Sequence, residues 1–266
     1  LRTIDVNLVG KHNFVINIEI SPNGSTIAAI GSSGGNISLW QISNGHQVGN
    51  IASNKENLDR ISFSPDARFL ASSKRNRTVQ LFRVQDSNLQ SEIEGNSCSI
   101  GSVSFSPNSK LVAIGTWESG IKICRVKDGL IINQLKGHDC RPVETVAFSP
   151  DGTQLASGGY DGDIIIWDVN IGCHLMKLRG HSDWVRSIKY SPDGELIASS
   201  SWDSTIRIWR AFDGKIIRTI KAYRESGESI AFSPDGKKLA SVSWGEGTKI
   251  WDVEDWKLDY SISEHS

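Results

Sequence analysis

The sequence lacks most of what marks a membrane protein, a disulfide scaffold or a nucleic-acid binder. No apolar run approaches the roughly 18 residues a membrane-spanning helix needs, and no secretory signal opens the chain. Lysine and arginine together number 29 and aspartate and glutamate 30, for a net charge of −1. A general nucleic-acid binder carries a basic excess instead. The four cysteines, Cys98, Cys124, Cys140 and Cys173, contain no CxxC pair. This argues against a structural zinc site and for a reducing, cytoplasmic setting. Glycosylation triplets start at Asn23, Asn36 and Asn76, but such triplets arise by chance in Asn- and Ser-rich sequences, and secretion is not expected. Leu1 opens the sequence and Met176 is its only methionine, so the expectation is a domain of a longer polypeptide. Helical periodicity is absent throughout.

What is present is a repeat. Ser-Pro recurs at Ser21, Ser64, Ser106, Ser149, Ser191 and Ser233, at spacings of 42 or 43 residues. Asp or Asn follows each copy, and alternating apolar residues precede it, as in Val146-Ala-Phe148. A second short strand follows, as in Leu155-Ala-Ser157, and a third ends at Trp40, Phe82, Cys124, Trp167, Trp209 or Trp251. A fourth, such as Lys215 to Ile220, leads to the next copy. Four short strands joined by Pro, Asp, Gly and Asn turns are the pattern of a propeller blade. One such sheet cannot bury both faces alone, so blades must stack.

The stretches GHDCRPVETVAFSPDGTQLASGGYDGDIIIWD and GHSDWVRSIKYSPDGELIASSSWDSTIRIWR resemble the WD repeat almost position by position. The resemblance covers essentially the whole chain. It implies an all-β WD-repeat β-propeller in one domain, residues 1–266. Six full four-stranded blades of about 42 residues are expected between residues 11 and 266, with an outer strand of a seventh in residues 1–10. The rival is a closed six-bladed ring with a spare terminal strand. An open ring would expose two apolar sheet faces. The first and third copies depart most, with Ile30 and Ile114 at the strand serine and Gly34 and Glu118 at the turn aspartate.

Two sets of residues look catalytic: His138, Ser157, Asp161 and Trp167, and their counterparts His181, Ser199, Asp203 and Trp209. A Ser-His-Asp triad is one reading. The resemblance implies the other, a structural hydrogen-bond network within the blade, and its occurrence twice at equivalent positions favours that reading. The sixth copy has Tyr223 near the histidine position and Gly245 at the aspartate, so its network should be incomplete. Gly31-Ser-Ser-Gly-Gly35 fits a nucleophile-elbow pattern around Ser33, but it lies between strands, where a hairpin is expected. No phosphate-binding loop occurs, Asp161-Gly-Asp163 is too short for a calcium loop, and Lys74-Arg-Asn-Arg77 reads as a solvated loop.

The resemblance also carries over positions for partner contact. The residue before each turn aspartate is Ser33, Arg75, Trp117, Tyr160, Trp202 or Trp244. Others flank an early residue of the first strand: Phe14 and Ile16, Asn57 and Asp59, Ser99 and Gly101, Pro142 and Glu144, Trp184 and Arg186, Ser226 and Glu228. An aromatic surface is expected, dotted with Asp59, Glu118, Glu144, Glu228 and Glu246, with Arg75 and Arg186 as basic exceptions. Trp, Tyr and Arg are the types enriched at binding hot spots, and aromatic faces beside carboxylates suit a cation.

The expected function is therefore a protein-interaction or ligand-sensing module, with no cofactor, no metal and no enzymatic activity. The expected partner is a protein or peptide, led by Arg or Lys. The uniform repeats and SPDG turns resemble bacterial WD-repeat arrays, which often follow signalling ATPase, kinase or protease-like domains. That implies an effector domain in the same polypeptide, regulated by the propeller. A passive scaffold bridging subunits is the alternative.

Overall fold

A Ser-Pro-Asx turn closes the first strand of every repeat, and each repeat folds into one antiparallel sheet. The computed structural model describes residues 15–31, 36–52, 58–74, 78–94, 99–118, 120–243 and 245–262, without the side chains of Ile16, Ala52, Asp59 and Lys74. The fold is an all-β propeller with six four-stranded blades, the strands running in chain order within each sheet. Blade 1 comprises Val15–Ile20, Thr26–Gly31, Asn36–Gln41 and Gln47–Ala52. Blade 2 comprises Leu58–Phe63, Phe69–Lys74, Thr78–Arg83 and Leu89–Glu94. Blade 3 comprises Ile100–Phe105, Leu111–Thr116, Gly120–Arg125 and Ile131–Lys136. Blade 4 comprises Val143–Phe148, Gln154–Gly159, Ile164–Asp168 and His174–Leu178. Blade 5 comprises Val185–Tyr190, Leu196–Ser201, Thr205–Arg210 and Ile216–Lys221. Blade 6 comprises Gly227–Phe232, Lys238–Ser243, Gly247–Asp252 and Leu258–Ile262. The seventh-blade strand expected in residues 1–10 and the Ser33 motif lie outside the described residues. No helix of the described residues is long and apolar enough to cross a membrane.

The chain forms two compact units, residues 1–116 with 122–133, and residues 117–121 with 134–266. In the first, Ile30, Ile37, Leu39 and Ile51 of blade 1 pack with Leu58, Ile61, Phe63 and Leu70 of blade 2. In the second, Ile164, Ile166 and Leu178 of blade 4 pack with Val185, Ile188 and Trp209 of blade 5. The other face of blade 5, with Ile206, Ile208 and Ile220, packs with Ile230, Leu239 and Trp251 of blade 6. Side chains alternate across a strand, so a sheet covered on both faces needs apolar residues at every position. The third strand of blade 4 shows this, with Ile164, Ile165, Ile166 and Trp167 all buried. Each such side chain contributes about 1.5–3 kcal/mol on burial. The first strand of blade 4 is wholly buried and the fourth of blade 5 mostly exposed.

The turn chemistry is the same six times. Each Ser-Pro serine hydroxyl donates to the Asx carboxyl or amide oxygen two residues on, at 2.5–2.8 Å. The same hydroxyl oxygen accepts the backbone N–H five residues on, at 2.9–3.0 Å. Thus one serine closes the loop and starts the second strand. The residue after the Asx adopts φ of 57–77°, and it is Gly24, Ala67, Ser109, Gly152, Gly194 or Gly236. A side chain in this left-handed region costs about 1–2 kcal/mol, which Ala67 bears with nothing in return. Ser109 recovers part of that cost because its hydroxyl accepts the Asp66 N–H at 3.1 Å.

Ala67→Gly is therefore expected to stabilise the fold by about 1 kcal/mol, raising Tm by roughly 2 °C in thermal unfolding. Ser109→Gly should gain less or nothing. A fall in Tm for Ala67→Gly would contradict the turn assignment.

Candidate functional site

Two buried polar chains run through blades 4 and 5. In blade 4 the Trp167 indole N–H donates to Ser157 Oγ at 2.8 Å, and Ser157 Oγ lies 2.7 Å from His138 Nε2. His138 Nδ1 lies 2.9 Å from Asp161 Oδ2. In blade 5 the distances through Trp209, Ser199, His181 and Asp203 are 2.8, 2.7 and 2.7 Å. The indole can only donate and the carboxylate can only accept, so with a neutral imidazole Nδ1–H donates to the carboxylate, Nε2 is left as an acceptor, and the serine O–H donates to it. Burial opposes ionisation of Asp203, yet bonds from His181 and Thr205 hold its carboxyl below the ordinary range. Burial likewise lowers His181 against the pull of Asp203. The pair is thus a neutral imidazole on an anion. Neither Ser157 nor Ser199 reaches solvent, and both already accept an indole N–H, so neither is a nucleophile that a substrate can approach. Gly137 leaves room for this chain, because a Cβ there would meet the Trp167 ring at 2.7 Å.

The other blades show what the chain requires. In blade 6 the Trp251 indole donates to Ser241 Oγ at 2.7 Å, but Tyr223 and Lys249 occupy the space near the missing histidine, the Lys249 ammonium 4.7 Å from the Tyr223 ring centre. Lys249 also pairs with Glu246 at 3.1 Å. In blade 2 Phe82 replaces the indole, and the buried Ser72 hydroxyl has no partner among the described residues.

The outward-facing chemistry comes from a different device. In blades 4, 5 and 6 the strand register skips one residue between Val143 and Thr145, between Val185 and Ser187, and between Gly227 and Ser229. Each skip is a β-bulge, which frees one side chain from the alternation. The three bulge residues are Glu144, Arg186 and Glu228. Arg186 Nη1 donates to Glu144 Oε1 at 2.7 Å, and Arg186 Nη2 to Glu228 Oε2 at 3.0 Å. The bulges of three successive blades are thereby joined by one guanidinium. Glu144 was expected on the open surface. Instead it is only 3% exposed, because its bulge turns the carboxylate onto Arg186 of the next blade.

Beside this ion chain stands an aromatic ladder. The Tyr160 and Trp184 rings stack at 3.6 Å between centres and 10° between planes. Trp184 stacks in turn on Trp202 at 4.3 Å and 20°. Trp117 leans on Tyr160 at 5.8 Å and 53°. Backbone bonds place the rungs, with Trp202 N–H donating to the Trp184 carbonyl and Tyr160 N–H to that of Pro142. The Trp202 indole N–H donates to Glu228 Oε1 at 3.0 Å, and Arg186 lies 5.6 Å from the Trp202 ring centre. Ladder and ion chain are therefore one assembly. Trp117 and Trp202 remain 43% and 37% exposed. Burial, with the nearby Glu144 charge, raises the Tyr160 hydroxyl above its ordinary range.

Of the expected contact residues, the structure brings together Trp117, Tyr160, Trp184, Trp202, Glu144, Arg186 and Glu228. Trp244 and Arg75 lie outside the described residues, as does the Asp59 side chain. The acidic trio Asp139, Asp161 and Asp163 lies within 4.8 Å, oxygen to oxygen, but Lys177 sits 2.7 Å from Asp163 and 3.3 Å from Asp139, and His138 holds Asp161. Burial raises the Cys124 thiol to about 12. Cys140 and Cys173 are exposed and free.

A family model described as the IFT122 first beta-propeller matches residues 99–252, more than half of the chain. Among curated proteins none matches.

Removing one serine hydroxyl separates the two kinds of blade. Ser199→Ala strands the Trp209 indole and the His181 imidazole and should cost about 2–4 kcal/mol in denaturant unfolding. Ser72→Ala removes a buried hydroxyl that has no partner among the described residues and should leave stability unchanged or raised. Equal losses in both variants would refute the network.

Proposed function

The chain belongs to the IFT122 first beta-propeller family, and we propose from that premise that it is a protein-interaction module whose partner docks on the aromatic ladder. One observation carries the reading. Four large rings from three blades are in mutual contact in advance, three of them stacked and Trp117 tilted against Tyr160, and the outermost two stay exposed. Rings already held in place lose little conformational freedom on binding. Tyr, Trp and Arg are also the residue types that dominate interface energetics. The docking segment is a peptide or loop led by Arg or Lys, received on ring faces by cation–π attraction. Glu144 and Glu228 contribute little to the cation directly, since Arg186 engages both. Docking in turn regulates an effector domain in the same polypeptide, in a cytoplasmic setting that the free Cys140 and Cys173 suit.

The scaffold reading rests on a separate observation. Fourth strands expose apolar residues, among them Leu89, Ile132, Leu175, Ile216 and Ile217, and these line blade sides rather than the ladder.

Hexapeptides centred on Arg, Lys, citrulline or Glu, titrated against tryptophan fluorescence, test the proposal. The Arg or Lys peptide should bind best. Alanine at Trp117 and Trp202 together should weaken it at least about a hundredfold while the protein stays folded, with Tm lowered by only a few degrees. Survival of binding in that double variant would show the face to be wrong. Equal binding of the citrulline peptide would remove the cation preference alone.

A further inference from the structure

The strands of each blade alternate in direction, so the Ser-Pro turns lie at the strand ends opposite the aromatic ladder. There, between blades 4 and 5, is a cleft of about 200 Å³ lined by Pro150, Asp151, Tyr190, Asp193, Gly194 and Phe212. Comparison among the six repeats singles it out. The residue closing the first strand is Ile20, Phe63, Phe105, Phe148, Tyr190 or Phe232, so only here does the ring carry a hydroxyl. Tyr190 is 9% exposed, and its buried hydroxyl has no hydrogen-bond partner among the described residues. Phenylalanine, used at four of these positions, would pack equally without stranding a polar group. Packing therefore does not account for the hydroxyl.

The second anomaly is Phe212. The equivalent residue is Ser43, Gln85, Lys127, Asn170 or Glu254 in the other repeats, all polar as an exposed connection requires. Phe212 is 75% exposed. Arg210 lies 5.0 Å from its ring centre and is itself bonded to Asp213 at 3.0 Å, so one guanidinium already sits on this ring.

The third feature is charge. Asp151 accepts from Ser149 and Thr153, and Asp193 from Ser191 and the Glu195 N–H. These bonds hold both carboxyls below the ordinary range. Neither carboxylate is in an ion pair among the described residues.

We infer that this cleft binds a cationic side chain, the guanidinium or ammonium group of an arginine or lysine on a partner segment. Asp151 and Asp193 supply the countercharge. Entry of the cation uncovers the Tyr190 hydroxyl, which is shielded from solvent in the free protein and then accepts an N–H, while Pro150 and Phe212 flank the alkyl stem. The cleft is a docking point separate from the ladder and stands whether or not the ladder binds a partner.

Amide NMR of the full chain, titrated with ethylguanidinium, n-butylammonium and neutral ethylurea, tests the assignment. The Gly152 and Gly194 amides should shift and saturate with the cations and not with ethylurea. The tighter of the two cations identifies arginine or lysine as the natural donor. Asp193→Asn should weaken binding about tenfold. Tyr190→Phe should weaken it about threefold while keeping or raising Tm, which a purely structural hydroxyl would not do. The inference fails if ethylurea shifts these amides equally, if neither cation shifts them, or if both variants bind as the wild type does. Shifts confined to the Trp202 indole would leave the ladder standing and refute the cleft.

Discussion

One inserted residue in the first strand sets which side chains blades 4, 5 and 6 turn toward the aromatic ladder. A regular strand would send alternate side chains into the cores on either side. The bulge breaks that rule at residues 144, 186 and 228. Because the repeat is 42 residues long here, the three bulges align, and the chain places Glu, Arg and Glu in them. Arg186 spans both neighbours, and Glu228 then fixes the Trp202 indole. Without the bulge Arg186 would point into a core or away from its partners, and the ladder would lose the group that orients its outer rung.

The interior obeys a different economy. Polar residues in the blades are tolerated where a complete donor chain exists, as in blades 4 and 5, because a buried polar group is costly only when it is unpaired. Where a member is lost the blade improvises. Blade 6 puts Lys249 and Tyr223 near the vacated histidine position, and in blade 2 Ser72 has no partner among the described residues. The residues that look most like catalytic machinery are thus fastenings, while the ion chain and the aromatic ladder sit at bulges and turn tips, where the repeat fixes the backbone but leaves the side chain free to vary.

Much of the fold was legible in the period alone. Ser-Pro spacing, the apolar third strands and the Asx turns locate all six sheets, since each depends on local turn chemistry and two-residue alternation. The positions of Tyr160, Trp184 and Trp202 were legible by register, but their stacking was not, nor was the burial of Glu144. Those depend on how a side chain leaves one blade and meets the next, which periodicity does not encode. A signal was nonetheless present: Glu144, Arg186 and Glu228 alternate in sign at the repeat spacing, as neighbours that pair would. Tyr190 and Phe212 were visible in the same way, as departures from their own repeat column.

The aromatic face is already assembled in the free protein. The ring-proton shifts of Trp184 in the free protein test it most directly, because Tyr160 and Trp202 stack on this ring at 3.6 and 4.3 Å. Resonances displaced well upfield of a free indole are expected, moving back when Trp202 is changed to Ala and again when Tyr160 is. Free-indole shifts for Trp184 in the folded wild-type protein would contradict it.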